Sequence, residues 1–349
     1  MVQRFRLKYS QLSNVKYNCS FVAEDIEEIV EQINTKKGGL TGFRDDVKKR
    51  FYSILETRID FMIKRKFGNT GFEITPVVYG GIVSMRDGQD ASDQYVSWAI
   101  DRGINYFDVA PTYEDAQEKL GISLMPYRKK IHLACKTTCR MKVDAQKEFE
   151  QSFRLLGTDY FDVYQMHALK KEEDLDKAFG VGGVMEMMVK AKEGGLVRKL
   201  GITCHNEAIA LKAMFLYDFD TVLFPLNWHM NIGHDMGTQL CKAAKEKGMG
   251  LLGMKELIER AWFNPDEQKN SPFPKSWCKP IDMKNKELRL AAMKYTLNLG
   301  VDTLVPPGDF ANFSFVVEHI EECLKHPLTD DDLTFLKQSY EKVKDYPFF

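Results

Sequence analysis

Residues 105–169 contain three short β-rich runs, NYFDVA (105–110), IHLACKTT (131–138) and YFDVYQMHAL (160–169), separated by segments of helical period. Apolar strands that alternate with helices indicate repeated βα units and a parallel sheet. Further runs of the same kind lie on both sides of this stretch: Thr75–Gly81, Lys199–Cys204, Thr221–Asn227, Gly250–Lys255 and Thr303–Gly308. Eight such runs favour an α/β fold of the (β/α)8 TIM barrel type over an open, doubly wound sheet.

The segments between these runs carry the spacing and the endings of helices. Several of them stop at a glycine, the residue that most readily ends a helix. No G-x-G-x-x-G motif follows the first run, so the phosphate-binding turn of a doubly wound sheet is absent there. The predicted helices include Ala91–Arg102, Asp144–Leu156, Val184–Glu193, Ala208–Tyr217 and Met236–Lys247.

Two segments fall outside the regular alternation. Residues 1–60 are predicted to form a helical extension, because Glu24–Asn34 is amphipathic and helical spacing resumes at Asp45–Thr57. Residues 61–349 then form the barrel domain. After the seventh run, Glu256–Asn285 is far longer than the roughly 2 to 6 residues of an ordinary βα loop. A long loop on this face is expected to shape a substrate site.

Composition excludes several classes of protein. The 349 residues carry 49 basic and 50 acidic side chains, a net charge of -1 that gives no basic surplus for nucleic acid. No apolar run approaches the roughly 20 residues of a membrane span, and the first ten residues resemble no signal peptide, so a cytoplasmic location is expected. The 7 cysteines form no C-x-x-C pair, which argues against a zinc ribbon, an iron–sulfur cluster or a disulfide framework.

Ionisable residues end three consecutive runs. Asp108 closes the second, Lys136 lies near the end of the third, and His167 lies near the end of the fourth. Adjacent strands lie about 4.8 Å apart, so Lys136 can sit between Asp108 and His167 at the catalytic end of a barrel. Tyr113, in the loop after Asp108, can reach back over them.

These four groups have complementary chemical roles. Tyrosine has a pKa of about 10, and an adjacent ammonium is expected to lower it by stabilising the phenolate. Lys136 supplies this charge, Asp108 keeps Lys136 protonated, and His167 can donate a hydrogen bond to a substrate oxygen. Tyr113 would then protonate a carbonyl oxygen. No side chain supplies a hydride, so this chemistry requires a cofactor such as NAD(P)H.

The segments that carry these four residues resemble motifs of the aldo-keto reductase family. The segment NYFDVAPTYEDAQEKLG (105–121) is similar to the family's strand-two signature, and IHLACKTT, DYFDVYQMH and MIKRKFGNTGFEITPVVYGG resemble further motifs in the family's order. The resemblance covers about Met62–Glu322. It implies a (β/α)8 reductase that converts an aldehyde or ketone to an alcohol or the reverse, with Asp108, Tyr113, Lys136 and His167 as the catalytic tetrad.

The resemblance also implies where a cofactor binds. The family's contacts fall on residues after strands five to eight of the barrel: Thr203, Cys204, Asn227, Met254, Lys255, Gly308 and Asp309. The family usually holds the phosphates of NADPH with Lys or Arg after strand eight. Residues 295–324 contain neither, and Asp309 suits a ribose hydroxyl better than a phosphate, which favours NADH over NADPH.

The pair Met254-Lys255 resembles a particular branch of the family. Some members of that branch carry a C-terminal ferredoxin-like part, whereas this chain ends at Phe349 without an iron–sulfur motif. No metal ligand is predicted, and the expected partner is a small carbonyl or alcohol substrate. The helical segment at 1–60 could support oligomers.

Two alternatives remain open from the residues alone. Relatives with this barrel also serve as partners of other proteins, so a cofactor-binding but weakly catalytic regulatory subunit is one. A metal-dependent barrel hydrolase is the other, because His205, His229 and His234 lie near the ends of strands five and six. No H-x-H precedes them on the first strand, and their spacing matches no common ligand set.

Overall fold

The computed structural model describes residues 62–348. The predicted helical extension at 1–60 lies outside the described residues, as does Phe349. The division of the chain into an extension and a barrel domain therefore stays a prediction.

Eight parallel strands form the predicted barrel. Each strand pairs with its neighbour in chain order, and the first and last are joined by hydrogen bonds from Val78 N to Leu304 O (2.9 Å) and from Leu304 N to Pro76 O (2.9 Å). The TIM barrel prediction is confirmed. The barrel strands are β3 (Tyr79–Gly80), β4 (Tyr106–Asp108), β5 (His132–Thr137), β6 (Phe161–Leu169), β7 (Val197–Cys204), β8 (Thr221–Pro225), β9 (Gly250–Met254) and β12 (Thr303–Val305).

The first strand is shorter than predicted. The run Thr75–Gly81 yields only β3 as regular strand, with Val77 paired to Leu304 as an isolated bridge. Pro76 has no N–H to donate, so the ladder cannot extend regularly through it.

Helices follow the barrel strands and cover their outer faces. The five predicted helices are all present, each with ends within two residues of the expected positions. The helices are α1 (Gln89–Asp101), α2 (Ala116–Leu124), α3 (Lys142–Leu156), α4 (Glu172–Phe179), α5 (Val184–Glu193), α6 (Glu207–Leu216), α7 (Trp228–His234), α8 (Thr238–Glu246), α9 (Pro265–Lys269), α10 (Lys286–Asn298), α11 (Phe310–Lys325) and α12 (Asp330–Glu341).

A short antiparallel hairpin precedes the barrel. It pairs β1 (Arg65–Lys66) with β2 (Glu73–Ile74), and it carries Phe67 and Ile74 into a buried cluster with apolar side chains of the barrel strands. Burying a large apolar side chain contributes roughly 1.5–3 kcal/mol. The hairpin therefore fills the barrel interior and leaves the other end, at the carboxyl ends of the strands, for function.

The long connection after β9 folds over that functional end. It contains α9 and a second hairpin, β10 (Ile258–Arg260) paired with β11 (Lys279–Pro280). Residues of this connection, among them Trp277, line a cavity together with Tyr113 and His167. The long connection therefore lies at the same end of the barrel as Tyr113 and His167, where a substrate-shaping loop is expected.

Candidate active site

Sheet register brings the three strand-end residues together. Asp108 of β4 pairs with Ala134 of β5, and Lys136, two residues further along, pairs with Gln165 of β6. Side chains two residues apart on a strand point to the same face. Lys136 thus points into the barrel from between its neighbours, as the sequence predicted.

A buried hydrogen-bond network fixes this arrangement. The Lys136 ammonium donates to Asp108 Oδ1, while Gln165 Nε2 donates to Asp108 Oδ2 at 2.9 Å. Lys136 is fully buried, and burial alone favours its neutral form, yet Asp108 and then Tyr113 raise its pKa. Lys136 therefore stays charged. Gln165 was not predicted, although it is a polar residue in an apolar strand and lies directly beside Lys136 in the ladder.

Tyr113 closes the network from the loop after β4. Its hydroxyl lies 3.3 Å from Lys136 Nζ, and its side chain is buried. The loop is held by a hydrogen bond from Tyr113 N to Ala110 O (3.1 Å), and the next residue, Glu114, adopts a left-handed conformation with φ 45°. Left-handed backbone at a non-glycine residue is uncommon and clusters at functional sites.

The net direction of the Tyr113 pKa differs from the expectation. Burial raises the pKa of Tyr113, Lys136 acts in the opposite direction, and the Asp108 carboxylate adds to the rise. The prediction of a lowered pKa was wrong, because the desolvation of the phenolate outweighs the attraction of the ammonium. Tyr113 is accordingly a protonated phenol, the form that can donate a proton.

His167 stands beside Tyr113. The two rings meet edge to face, with centroids 6.0 Å apart, and His167 Nδ1 is buried without a hydrogen-bond partner among residues 62–348. Burial, followed by the charge of Lys136, holds the pKa of His167 well below its usual value. A neutral imidazole carries one N–H, so it can donate a hydrogen bond to a substrate oxygen.

The cavity connects this cluster with part of the predicted cofactor site. Asp108, Tyr113 and His167 line it at one place. Four of the seven predicted cofactor residues line the same cavity: Thr203, Met254, Lys255 and Gly308. Gly308 packs so closely against Ile82 that an added Cβ would lie 2.1 Å from Ile82 Cγ2, so only glycine fits here without displacing that side chain.

Cys204 and Asn227 do not line the described part of the cavity. Cys204 Sγ donates to Leu169 O at 2.9 Å and lies in the core. Asn227 Nδ2 donates to Lys255 O at 2.7 Å and to Ile258 O at 2.9 Å. The Asn227 side chain thus holds the backbone after β9, where Lys255 reaches the cavity, whereas the Cys204 thiol binds the backbone at the end of β6.

Asp309 precedes α11 at the Gly308 end of the cavity. It is buried, its Oδ2 lacks a hydrogen-bond partner among the described residues, and burial raises its pKa to about 6. The first N–H groups of α11 lie beside it, and a helix N-terminus favours anions. Asp309 is not itself part of the cavity lining, but it directly follows Gly308, so an acceptor and the backbone donors of α11 lie next to that end of the cavity.

Lys275 is a cavity residue that the sequence did not reveal. It comes from the long connection after β9, and its Nζ donates to Asp87 Oδ2 at 2.6 Å and to Val83 O at 2.7 Å. Its backbone N–H lies 3.4 Å from Asp309 Oδ1. Lys275 therefore places a basic group near the end of β12. It belongs to the long connection after β9, and its charge is paired with Asp87.

The histidines that suggested a metal site are separated in their roles. His205 lines the cavity, whereas His229 Nδ1 is hydrogen-bonded to Glu259 O at 2.7 Å and its ring packs against Tyr340 and Phe348. Within residues 62–348, no three His, Cys, Asp or Glu side chains are grouped to hold a metal ion. None of the helices in this range has the length and apolar character of a membrane span.

The sequence profile and the curated relatives that match this chain point to the same protein family. Residues 83–300 match the sequence profile described as the Aldo/keto reductase family. Two curated relatives come from Bacillus subtilis (strain 168): the uncharacterized oxidoreductase YqkF, 28% identical over 156 residues (41% of this chain, 49% of YqkF), and the aldo-keto reductase YhdN, 26% identical over 154 residues (39% and 45%). The chain thus spans about half the length of these relatives.

Solved structures show the same fold. The putative aldo-keto reductase PA4992 from Pseudomonas aeruginosa superposes with a TM-score of 0.60 at 18% identity, covering 77% of this chain and 99% of that one. The aldo-keto reductase AKR11C1 from Bacillus halodurans, in its holo form, gives a TM-score of 0.61 at 18% identity, covering 80% and 96%. At this identity the likeness establishes the barrel alone.

Proposed function

This chain belongs to the aldo-keto reductase family, and on that premise we propose that it reduces an aldehyde or ketone to an alcohol, or catalyses the reverse oxidation, with a nicotinamide cofactor. One observation carries the proposal. The hydroxyl of Tyr113 lies 3.3 Å from the ammonium of Lys136 in a cavity that also exposes His167. A proton donor, a charge that stabilises its conjugate base and a hydrogen-bond donor thus meet at one place.

Tyr113 is the proton donor in this proposal. Its phenol is protonated in the folded protein, and loss of the proton leaves a phenolate beside a fixed positive charge. Such stabilisation of developing charge by preorganised groups is a major source of catalysis. In the reverse direction the same phenolate would accept the proton of an alcohol.

Lys136 and Asp108 tune Tyr113 and need not touch the substrate. Lys136 would lose its proton if it were buried alone, because burial disfavours the charged form. Asp108 prevents this, and Gln165 satisfies the second carboxylate oxygen. His167 acts on the substrate side, where its neutral ring orients the carbonyl oxygen toward Tyr113.

The residues of the cavity fit a nicotinamide cofactor. Gly308 lines one end of the cavity, Asp309 follows it with an Oδ2 that has no hydrogen-bond partner among the described residues, and α11 begins there. Thr203, Met254 and Lys255 would flank the cofactor between that end and Tyr113. The bound cofactor would supply the hydride that no side chain can provide.

The same residues favour NADH over NADPH. Asp309 suits a ribose hydroxyl, since a carboxylate would repel a 2′-phosphate. Lys275 is the basic side chain from the long connection that lines this cavity, and its charge is paired with Asp87. Clamping a 2′-phosphate with Lys275 would require breaking this ion pair.

Cofactor binding and turnover test the proposal separately. Fluorescence titration should show binding of reduced nicotinamide cofactors, with NADH bound more tightly than NADPH. Oxidation of the bound cofactor should depend on added aldehyde or ketone. Tighter binding of NADPH would reverse the assigned preference, and binding without turnover across a broad carbonyl panel would favour the regulatory-subunit alternative.

A further inference from the structure

A second cleft adjoins the catalytic cavity. The two share lining from His205, Lys255, Trp277 and Cys278, so a molecule at Tyr113 can extend from one into the other. The proposed reaction uses only the carbonyl group of its substrate. The side chains that line the cleft should therefore indicate the chemical character of the rest of the substrate.

Aromatic side chains form part of the cleft wall. Trp277 packs edge to face on Tyr113, with ring centroids 5.7 Å apart, and it is 50% exposed. Phe263 is 58% exposed, and the Arg260 guanidinium lies 3.5 Å from its ring centroid. Trp262 is fixed by a hydrogen bond from Nε1 to Ser276 O at 2.8 Å. Exposed aromatic surface held in place in this manner suits a flat, apolar body.

The cleft is lined by basic side chains and by no carboxylate of the described residues. Its lining includes Lys170, Lys255 and His205, and no Asp or Glu of residues 62–348 is part of it. Burial, followed by the charges of Lys255 and Lys170, lowers the pKa of His205 to about 3. Both ammonium groups therefore lie close enough to act on the same imidazole.

Two carboxylates close in sequence to cleft residues pair with other groups. Asp174 Oδ2 accepts from the backbone N–H of Lys170 (2.9 Å) and of Lys171 (3.2 Å), and Asp174 also pairs with Arg140. Glu267 pairs with Arg260 at 2.6 Å. The exposed side chain of Lys170 makes no ion pair with a described residue. A positive potential at the cleft mouth attracts anions.

We propose that the preferred substrate is a carbonyl compound with a carboxylate on a flat, apolar body. Its carbonyl lies at Tyr113 and His167, its body packs along Trp277, and its carboxylate faces Lys170. This inference rests on the proposed reductase function and adds the substrate class to it.

Matched substrates isolate the charge. The acid 4-carboxybenzaldehyde and its neutral ester, methyl 4-formylbenzoate, share a reactive group and an aromatic ring. We expect the wild-type kcat/KM to be higher for the acid. Replacing Lys170 by Gln should lower kcat/KM for the acid about two- to fivefold, the effect of an exposed charge pair, and Lys170→Glu should lower it further. Neither change should alter the ester by more than about twofold.

Lys147→Gln is the matched control. Lys147 is an exposed lysine of α3, outside both cavities, and its replacement changes the net charge equally. It should leave the ratio of acid to ester unchanged, whereas added salt should lower the rate with the acid alone.

The outcomes separate the inference from the function beneath it. If the ester is turned over as well as the acid, and Lys170→Glu leaves their ratio unchanged, the carboxylate inference is overturned while the reductase function stands. If no aldehyde of either kind supports oxidation of NADH or NADPH, the reductase function fails and the inference falls with it.

Discussion

Two buried carboxyl groups at the same end of the barrel, Asp108 and Glu256, have opposite surroundings. At the ends of β4–β6, Asp108 receives hydrogen bonds from Lys136 and Gln165. Just after β9, Glu256 is fully buried, and neither of its carboxyl oxygens has a hydrogen-bond partner in the described part of the chain. Burial raises the pKa of Glu256 to about 8, although the Arg289 charge opposes this.

The contrast shows what keeps a buried carboxyl group ionised. A carboxylate taken from water remains ionised when partners replace its hydration, and it takes up a proton when they do not. The β4–β6 region supplies those partners from adjacent strands and so retains charge, which the proposed chemistry at Tyr113 requires. The region after β9 lacks such partners, and Glu256 is neutral at low and moderate pH.

The largest expected effect comes from removing the proposed proton donor of the charged region. Tyr113→Phe keeps the ring and its contacts with His167 and Trp277 but removes the hydroxyl. Loss of a positioned general acid should lower kcat about 10²- to 10⁴-fold. Carbonyl-dependent cofactor oxidation measures this, and fluorescence titration should show nearly unchanged cofactor binding.

Tyr127→Phe provides the control for that change. Tyr127 packs against the core away from the cavity, so its variant should match the wild type in turnover. Comparable turnover by Tyr113→Phe and the wild type would disprove the assignment of Tyr113.

Removing Lys136 would leave Asp108 as a buried carboxyl without a charged partner, which brings its surroundings closer to those of Glu256. Lys136→Met leaves the Asp108 carboxylate buried without its ammonium, and stranding one member of a buried pair should reduce the free energy of unfolding by about 3–5 kcal/mol. Urea denaturation measures the loss. The double variant Lys136→Met, Asp108→Leu should recover part of the stability but none of the turnover. Recovery of turnover would contradict the role given to the pair.

The protonation of Glu256 can be tested through the pH dependence of stability. A carboxyl whose pKa rises on folding is ionised more readily in the unfolded chain, so the free energy of unfolding falls as pH rises from about 4.5 to about 8. Glu256→Gln cannot ionise. Its stability relative to the wild type should therefore increase over this range, by on the order of a few kcal/mol, in urea denaturation at several pH values.

Glu118→Gln is the control for the pH series. Glu118 is exposed on α2, and the difference between this variant and the wild type should stay flat with pH. A flat difference for Glu256→Gln as well would mean that Glu256 is ionised when buried.

The smallest effect is expected at the wall opposite the charged cluster. Gly308→Ala places a methyl group 2.1 Å from Ile82 Cγ2, and such overpacking should cost about 1–3 kcal/mol of stability. Gly80→Ala lies in the same cavity, but its nearest neighbour is Val305 Cγ1 at 3.8 Å, so thermal unfolding should change little. Equal effects at both glycines would show that the Gly308 wall yields readily.

The barrel and the charged cluster could be predicted from the amino-acid sequence alone. Short apolar runs and helical spacing are local properties, and parallel pairing in chain order then places the ends of consecutive strands side by side. For that reason Asp108, Lys136 and His167 could be placed before any contact was known. The family was also recognisable, because its motifs follow one another along the chain.

The rest of the site depends on how distant segments of the chain pack together. Lys275 reaches Asp87 across 188 residues through a loop whose path no local pattern dictates. Cys204 and Asn227 have the expected positions in sequence, but their side chains serve the backbone and not the cavity. The net direction of the Tyr113 pKa depends on its burial by the whole fold, so the charge of Lys136 considered alone gave the opposite direction.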